Sequence, residues 1–327
     1  MQESKGLIES NYGIRIMGIK PYRAGYILDT TTGKKYIKTC QYTKERVMFI
    51  HQAKTHLLKN NFQHIDPYCL TLSKQPYFEG EDGVYTMVNL IEGRECEFDD
   101  DKDVLKATEA LAYMHKASHG FSPKDTGHVS NNLGKLPVYF KKRLEDIRRL
   151  RRKAERERNS FDYLFIENFD GFYDIGLKSL EILYGSKYNK LIEVTKKEGM
   201  LCHHDYSYQN ILIKNDRTSI INFDYCNTEL KIYDLVNMLR RRMRKCNWDI
   251  HKAKLIIDTY RKIEPLEKDE IKVMKSMLLF PQKFWRVINR YYNSKRCWAQ
   301  KNFTSVLKDV ISEKEAHIQF MNDFDDL

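Results

Sequence analysis

Apolar and polar residues alternate along the first forty positions at the spacing of short strands. YGIRIMGIK, YILDT and KKYIKT carry β-branched and aromatic residues, and TTGK between the last two reads as a turn. The period then changes. In KERVMFIHQAKTHLLKN, Val47, Ile50, Leu57 and Leu58 fall on one helical face with Ala53 and Lys54 between them. Strand patterns return at Leu70–Leu72 and Val84–Leu90, around the glycine-containing turn EGEDG. From Asp103, a candidate cap, DVLKATEALAYMHKAS repeats Val104, Leu105, Leu111 and Met114 at helical spacing. A Gly-, Ser-, Pro- and Asn-rich loop covers 119–135. A long amphipathic helix follows over 137–159, with Phe140, Leu144, Ile147, Leu150 and Ala154 as its apolar stripe.

The remainder reads as helix, apart from two short strands near 211–213 and 219–223. Strands first and helices later is an α+β order in two lobes. The predicted division is a strand-rich lobe over 1–90 and a mainly helical lobe over 91–327.

The 327 residues include 42% hydrophobic and 31% charged side chains, an ordinary globular mixture. A net charge of +11 favours polyanionic partners, among them nucleotides, nucleic acid, anionic polymers and membrane surfaces, and does not choose among them. Seven scattered cysteines with no C-x-x-C pair argue against a disulfide framework or a zinc knuckle. No signal peptide and no run of about 18 apolar residues is visible, so cytoplasmic synthesis without a membrane span is expected.

Two basic runs qualify the charge. KKRLEDIRRLRRKAERER interleaves Glu145, Asp146, Glu155 and Glu157 at helical ion-pair spacing, so it reads as a solvated face, and nucleic-acid binding ranks last. RRRMRK at 240–245 is less compensated and is a candidate contact for an anionic substrate or partner. Trp285, Tyr291, Tyr292 and Trp298 read as core packing.

The candidate chemistry centres on HHDYSYQN at 203–210, which fits His-x-Asp-x-x-x-x-Asn and runs into the apolar segment ILI. Phosphoryl transfer to a hydroxyl needs a carboxylate to orient the acceptor and an oxygen ligand for magnesium close by. Asp205 is the candidate base and Asn210 the candidate metal ligand, with His203 bracing the loop. About ten residues on, SIINFDYC reads as a buried strand ending in polar groups, where a phosphotransferase places its metal carboxylate. Lys38, at the end of the third strand, can reach nucleotide phosphates; Lys34 and Lys35 are rivals. Zinc at Cys202, His203, His204 and Asp205 is disfavoured, because adjacent ligands on one strand cannot all point at one ion.

These segments resemble the aminoglycoside-phosphotransferase and choline-kinase superfamily, and more closely the CotS-type spore coat proteins. The carrying residues are YIKT at 36, LIEGRE at 90, ALAYMH at 110, HHDYSYQN at 203, INFDYC at 221, IYDL at 232 and FPQKFWRVINRYYNSKRCW at 280. The resemblance implies a two-lobed kinase-like fold with a nucleotide cleft between the lobes. It implies ATP (or another nucleoside triphosphate) and Mg2+ as cofactors, and an unidentified hydroxyl acceptor or anionic coat component as substrate. Other coat proteins as partners and a spore coat location also follow from it. It makes Asp205 the catalytic base, Asn210 a metal ligand and Lys38 the phosphate contact. It sets the hinge at Met87, Val88, Asn89 and Leu90, where backbone groups would meet adenine.

Three departures stand out. The strand that should end I-D-F-D reads Ile221-Asn222-Phe223-Asp224, so a neutral amide replaces the principal magnesium carboxylate. Asp224, two residues on, would share the metal with Asn222 if the chain stays extended. The first hairpin has Gly18 and Gly25 but no G-x-G-x-x-G. The helix after Lys38 offers only Glu45, near its start, as an acidic partner. Two readings follow: an ATP-dependent phosphotransferase, or a catalytically weak or inactive kinase-like structural protein of the coat.

Overall fold

A computed structural model of the chain describes residues 4–124, 131–157, 159–293 and 300–327. They form two compact units, 1–131 with 198–231 and 132–197 with 232–327. This is a different partition from the one expected at residue 90, because the segments after the first sheet pack with it.

The first unit opens with α1 (Lys5–Tyr12), which the strand pattern did not indicate. Its signal was Gly13, whose left-handed φ of 62° ends the helix as its N–H bonds Glu9 O at 2.9 Å. Five antiparallel strands follow: β1 (Ile16–Tyr22), β2 (Gly25–Thr30), β3 (Gly33–Cys40), and, after α2 (Lys44–Lys59), β4 (Phe78–Gly80) and β5 (Gly83–Asn89). Their order is β1-β2-β3-β5-β4. Leu70–Leu72, expected as a strand, is irregular; that stretch joins β5 only through the Tyr68–Val88 bridge.

Strand alternation sorts this sheet into two faces. Ile37 pairs with Met87, and both are buried with Leu28, Tyr85 and the α1 residues Ile8 and Tyr12. Tyr36, Lys38, Thr86 and Val88 therefore take the opposite face, and all four line a cavity. β6 (Arg94–Glu95) and α3 (Asp101–Ser118) come next. Asp100 caps α3 by accepting the Lys102 N–H, while Asp103, the expected cap, pairs with Arg94. The unit closes with β7 (Leu201–Cys202), β8 (Ile211–Lys214), β9 (Arg217–Ile220) and β10 (Asn227–Thr228). β6, β8 and β9 form a small sheet, and Ile220 N–H bonds His64 O at 2.9 Å.

The second unit is helical: α4 (Leu136–Glu157), α5 (Ser160–Tyr184), α6 (Tyr188–Glu198), α7 (Ile232–Met243), α8 (Ile250–Arg261), α9 (Lys268–Leu279), α10 (Gln282–Asn293), α11 (Gln300–Ser312) and α12 (Lys314–Asp323). The stripe read from the sequence is the buried face of α4. Asn159 and Asp162 build a reciprocal capping box at the start of α5. Its phenylalanines pack against α10, where Phe172 stacks on Phe284 with centroids 4.1 Å apart. Trp285, Tyr291 and Tyr292 flank this core as expected; Cys297 and Trp298 lie outside the described residues. The outer face of α4 carries the ion pairs its spacing implied, including Arg149–Asp146 at 3.1 Å and Arg151–Glu155 at 3.2 Å.

Among the described residues all cysteines are free, and no helix is long and apolar enough to cross a membrane.

Candidate active site

The first unit brings Lys38, Asp205, Asn210, Asn222 and Asp224 into one hydrogen-bonded chain. β7 delivers the loop that begins at His203. Its imidazole is fully buried, accepts the Asp205 N–H at Nδ1 (3.3 Å) and meets the Ile221 carbonyl at Nε2 (3.0 Å). That pattern puts the proton on Nε2 and makes His203 a strut between the two motif loops. Asn210 Nδ2 donates to the Asp205 carboxylate at 2.8 Å and to its carbonyl at 2.9 Å, fixing the carboxylate's direction. Asn222 Nδ2 meets Asn210 Oδ1 at 3.3 Å, and Asn222 Oδ1 accepts from Lys38 Nζ at 3.3 Å.

Lys38 also pairs with the Asp224 carboxylate, whose other oxygen accepts from Tyr42 Oη at 3.0 Å. The chain here is not extended. Asn222 takes a left-handed φ of 65° and residues 223–225 make a 3-10 turn. That turn brings Asn222 and Asp224 to the same lysine. Asn tolerates this conformation better than most residues, because its short amide can bond locally. Lys38 thus takes Asp224 and Asn222, while Glu45 stays exposed in the first turn of α2 with its pKa lowered by a hydrogen bond from Thr43.

Several groups were not identified from the sequence. Arg46 on α2 donates to the Asp224 carbonyl at 2.8 Å and also to the Cys226 carbonyl. Lys54, also on α2, forms a buried ion pair with Asp66 at 2.9 Å, lying over the Tyr68 ring at 4.3 Å. Asp66 uses Oδ2 to accept the Asn222 N–H at 3.1 Å. The signal for Lys54 was its place on the apolar face of α2, where a cation requires a buried partner. Arg23, in the β1–β2 turn, reaches Glu95 at 2.8 Å and the Gln209 carbonyl at 2.7 Å; the hairpin thus offers a guanidinium where a glycine-rich loop was missing.

Arg23, Lys38, Tyr42, Lys54, Asp66, Asn222 and Asp224 border a cavity of about 520 Å³, within the range of small-molecule sites, and Asp205 and Asn210 lie outside its lining. Val88, Leu90, Leu212 and Ile221 form its apolar wall, and Lys38, Lys54, Asp66, Asn222 and Asp224 its polar end. Asn89 also lines it and accepts from Lys35 Nζ. Met87 does not, since its side chain is in the core and its carbonyl accepts the Cys69 N–H at 2.7 Å. Burial, together with Asp224, raises the Tyr36 hydroxyl to about 12; burial, Tyr68 and Asp224 also push Tyr42 up. Both phenols are therefore neutral donors at the polar end. Asn210, Asn222 and Asp224 offer oxygen donors of the kind a hard dication takes, with one carboxylate among them.

The family described as "Spore coat putative kinase YutH" matches residues 5–324. Spore coat protein S of Bacillus subtilis (strain 168) is 23% identical over 303 residues, 92% of this chain and 86% of that protein. Among solved structures, an aminoglycoside phosphotransferase from Alicyclobacillus acidocaldarius superposes with a TM-score of 0.85 at 21% identity, covering 97% of this chain and 94% of its own. A spectinomycin phosphotransferase, solved with ADP and spectinomycin, gives 0.65 at 16% identity, with 97% and 98% covered. The fold is the α+β kinase-like fold of the aminoglycoside-phosphotransferase type, as the resemblance implied.

Proposed function

The chain belongs to the YutH-type family of kinase-like spore coat proteins, and from that membership we propose that it is a coat-located, nucleotide-dependent phosphotransferase acting on a hydroxyl acceptor. The observation that carries this reading is the continuous chain Asp205–Asn210–Asn222–Lys38–Asp224, assembled from segments far apart in sequence.

In this reading Lys38 pairs with the phosphates of ATP or another nucleoside triphosphate, and Val88, Asn89 and Leu90 border the base. Asn210, Asn222 and Asp224 would hold Mg2+. The ion, when bound, neutralises charge on the phosphate oxygens. Asp205 receives the proton of the acceptor hydroxyl, held in position by Asn210 and by the His203 strut. A solved phosphotransferase of the same fold holds ADP, which supports a nucleotide as the first ligand to test.

A second reading rests on Asn222, which removes a carboxylate from the metal set, and on the Lys38–Asp224 pair, which occupies the remaining one. It makes the protein a structural member of the coat. Thermal-shift titration with ATP, with and without magnesium, separates the two, because a ligand that binds only the native state raises its stability by mass action. The phosphotransferase reading expects a magnesium-dependent rise; no rise with any nucleoside triphosphate leaves the structural one.

A further inference from the structure

The second unit gathers basic side chains from three helices. Arg143 comes from α4, Arg240 and Arg241 from α7, and Lys283, Arg286 and Arg290 from α10. Arg143 Nη1 bonds Gln282 Oε1 at 2.6 Å and its guanidinium lies 4.8 Å from the Trp285 ring centre. Arg240 donates to the Met277 carbonyl in the last turn of α9 and to Asn237 Oδ1 at 3.2 Å, while its buried Nε has no partner. Arg240 and Lys283 line a cavity of about 40 Å³, and Arg241, Arg286 and Arg290 stand exposed.

Among the described residues no carboxylate lies within ion-pair distance of Arg143, Arg240, Lys283 or Arg286. The neighbouring acids are already engaged: Asp146 with Arg149 and the Trp285 ring N–H, Glu313 with Arg244. Burial in the first place, opposed by Tyr233, and then the charges of Arg143, Arg286 and Arg241 draw the Arg240 guanidinium down to about 10. Arg143 and Lys283 are lowered as well, burial first. All remain cations at neutral pH. Partly burying several like charges without a counter-ion costs stability unless an anion offsets it.

We propose that this cluster is an oxyanion site that takes a phosphate-type dianion, free or as a monoester. Planar guanidinium forks match such oxygens, and two arginines with the Lys283 ammonium supply both charge and directed donors. The site sharpens the sequence reading of RRRMRK. Arg244 is consumed by Glu313, and Arg240, which lines the cavity with Lys283, is the part of that run placed at the site.

The test is thermal-shift titration of the full chain with sodium phosphate against sodium chloride at matched ionic strength. Phosphate should stabilise the wild type beyond chloride. Arg286→Gln, which removes an exposed side chain, should weaken the apparent affinity at least about tenfold. Lys254→Gln, an equal charge loss on α8, should retain wild-type affinity. Glycerol phosphate binding more tightly than inorganic phosphate would assign a monoester, and the reverse the free ion; both support the site. Equal stabilisation by phosphate and chloride overturns it. So does stabilisation that survives Arg286→Gln but disappears in Lys38→Met, since that phosphate would sit in the nucleotide cavity.

Discussion

Lys54 and Asp66 form an ion pair of 2.9 Å whose side chains are 3% and 10% exposed, and Asp66 turns its second oxygen to the backbone N–H of Asn222. A buried pair therefore sets the conformation of the turn that carries the candidate metal ligands. Replacing Lys54 with Met should leave Asp66 buried and uncompensated, at a cost of about 3–5 kcal/mol. Urea unfolding measures this, and Lys54→Met with Asp66→Asn should recover much of the loss. A single-variant cost below about 1 kcal/mol would show that the pair does not carry the turn.

The Asn222–Asp224 arrangement separates the two functional readings. For a phosphotransferase, Asp224 is the one carboxylate in the set of Asn210, Asn222 and Asp224. Asp224→Asn should then remove the magnesium dependence of nucleotide binding. Asn222→Asp should tighten magnesium-nucleotide binding by about tenfold, ~1.4 kcal/mol. Calorimetric titration with ATP at several magnesium concentrations reads both. Unchanged magnesium dependence in Asp224→Asn would take that carboxylate out of the metal set.

A buried histidine gives the second unit a pH dependence. His317 stacks on Trp248 and its Nε2 meets the Leu278 carbonyl at 3.0 Å. Burial, with the charges of Arg240 and Arg244, lowers its pKa to about 4. The unfolded chain takes up this proton near the ordinary value of about 6.5 and the folded chain does not. The stabilisation is therefore complete above pH 6.5 and is lost as pH falls toward 4, by up to about 3 kcal/mol. His317→Gln should flatten the acid limb of a stability-against-pH profile; a wild-type slope in that variant would assign the limb to other groups.

The parts of this molecule that were legible in the sequence are local in origin. β3, β5 and α4 carry their periodicity in a few consecutive residues, and Asp205 and Asn210 share one short loop. Lys38 was identified by its place at the end of β3. Met87 differs from the rest of the run 87–90: the pleat and its pairing with Ile37 turn its side chain into the core while Val88 faces the cavity, a distinction that a continuous run does not carry. Asp66 and Tyr42 were invisible because they lie in irregular segments with no period to read. The Lys38–Asp224 pair depended on a left-handed Asn222, a backbone state that the surrounding Asp66, Asn210 and Lys38 contacts hold and that composition does not announce.

Asp205 provides the sharpest test of chemistry. Its carboxylate is aimed by Asn210 Nδ2 at 2.8 Å, and its backbone N–H is held by His203, so its position is set from two sides, with no charged partner bonding it among the described residues. Asp205→Asn keeps the shape and the capacity to contact a hydroxyl but cannot take up its proton. Positioned general bases typically contribute 10²–10⁴-fold, so turnover should fall by about that factor. Nucleotide affinity should stay near wild type, because Asp205 is not among the groups bordering the cavity. His203→Gln should lower turnover less steeply, since it loosens a strut and leaves the carboxylate present. ATP consumption by Asp205→Asn at the wild-type rate would remove Asp205 from the mechanism and, with it, the assignment of this loop as the centre of phosphoryl transfer.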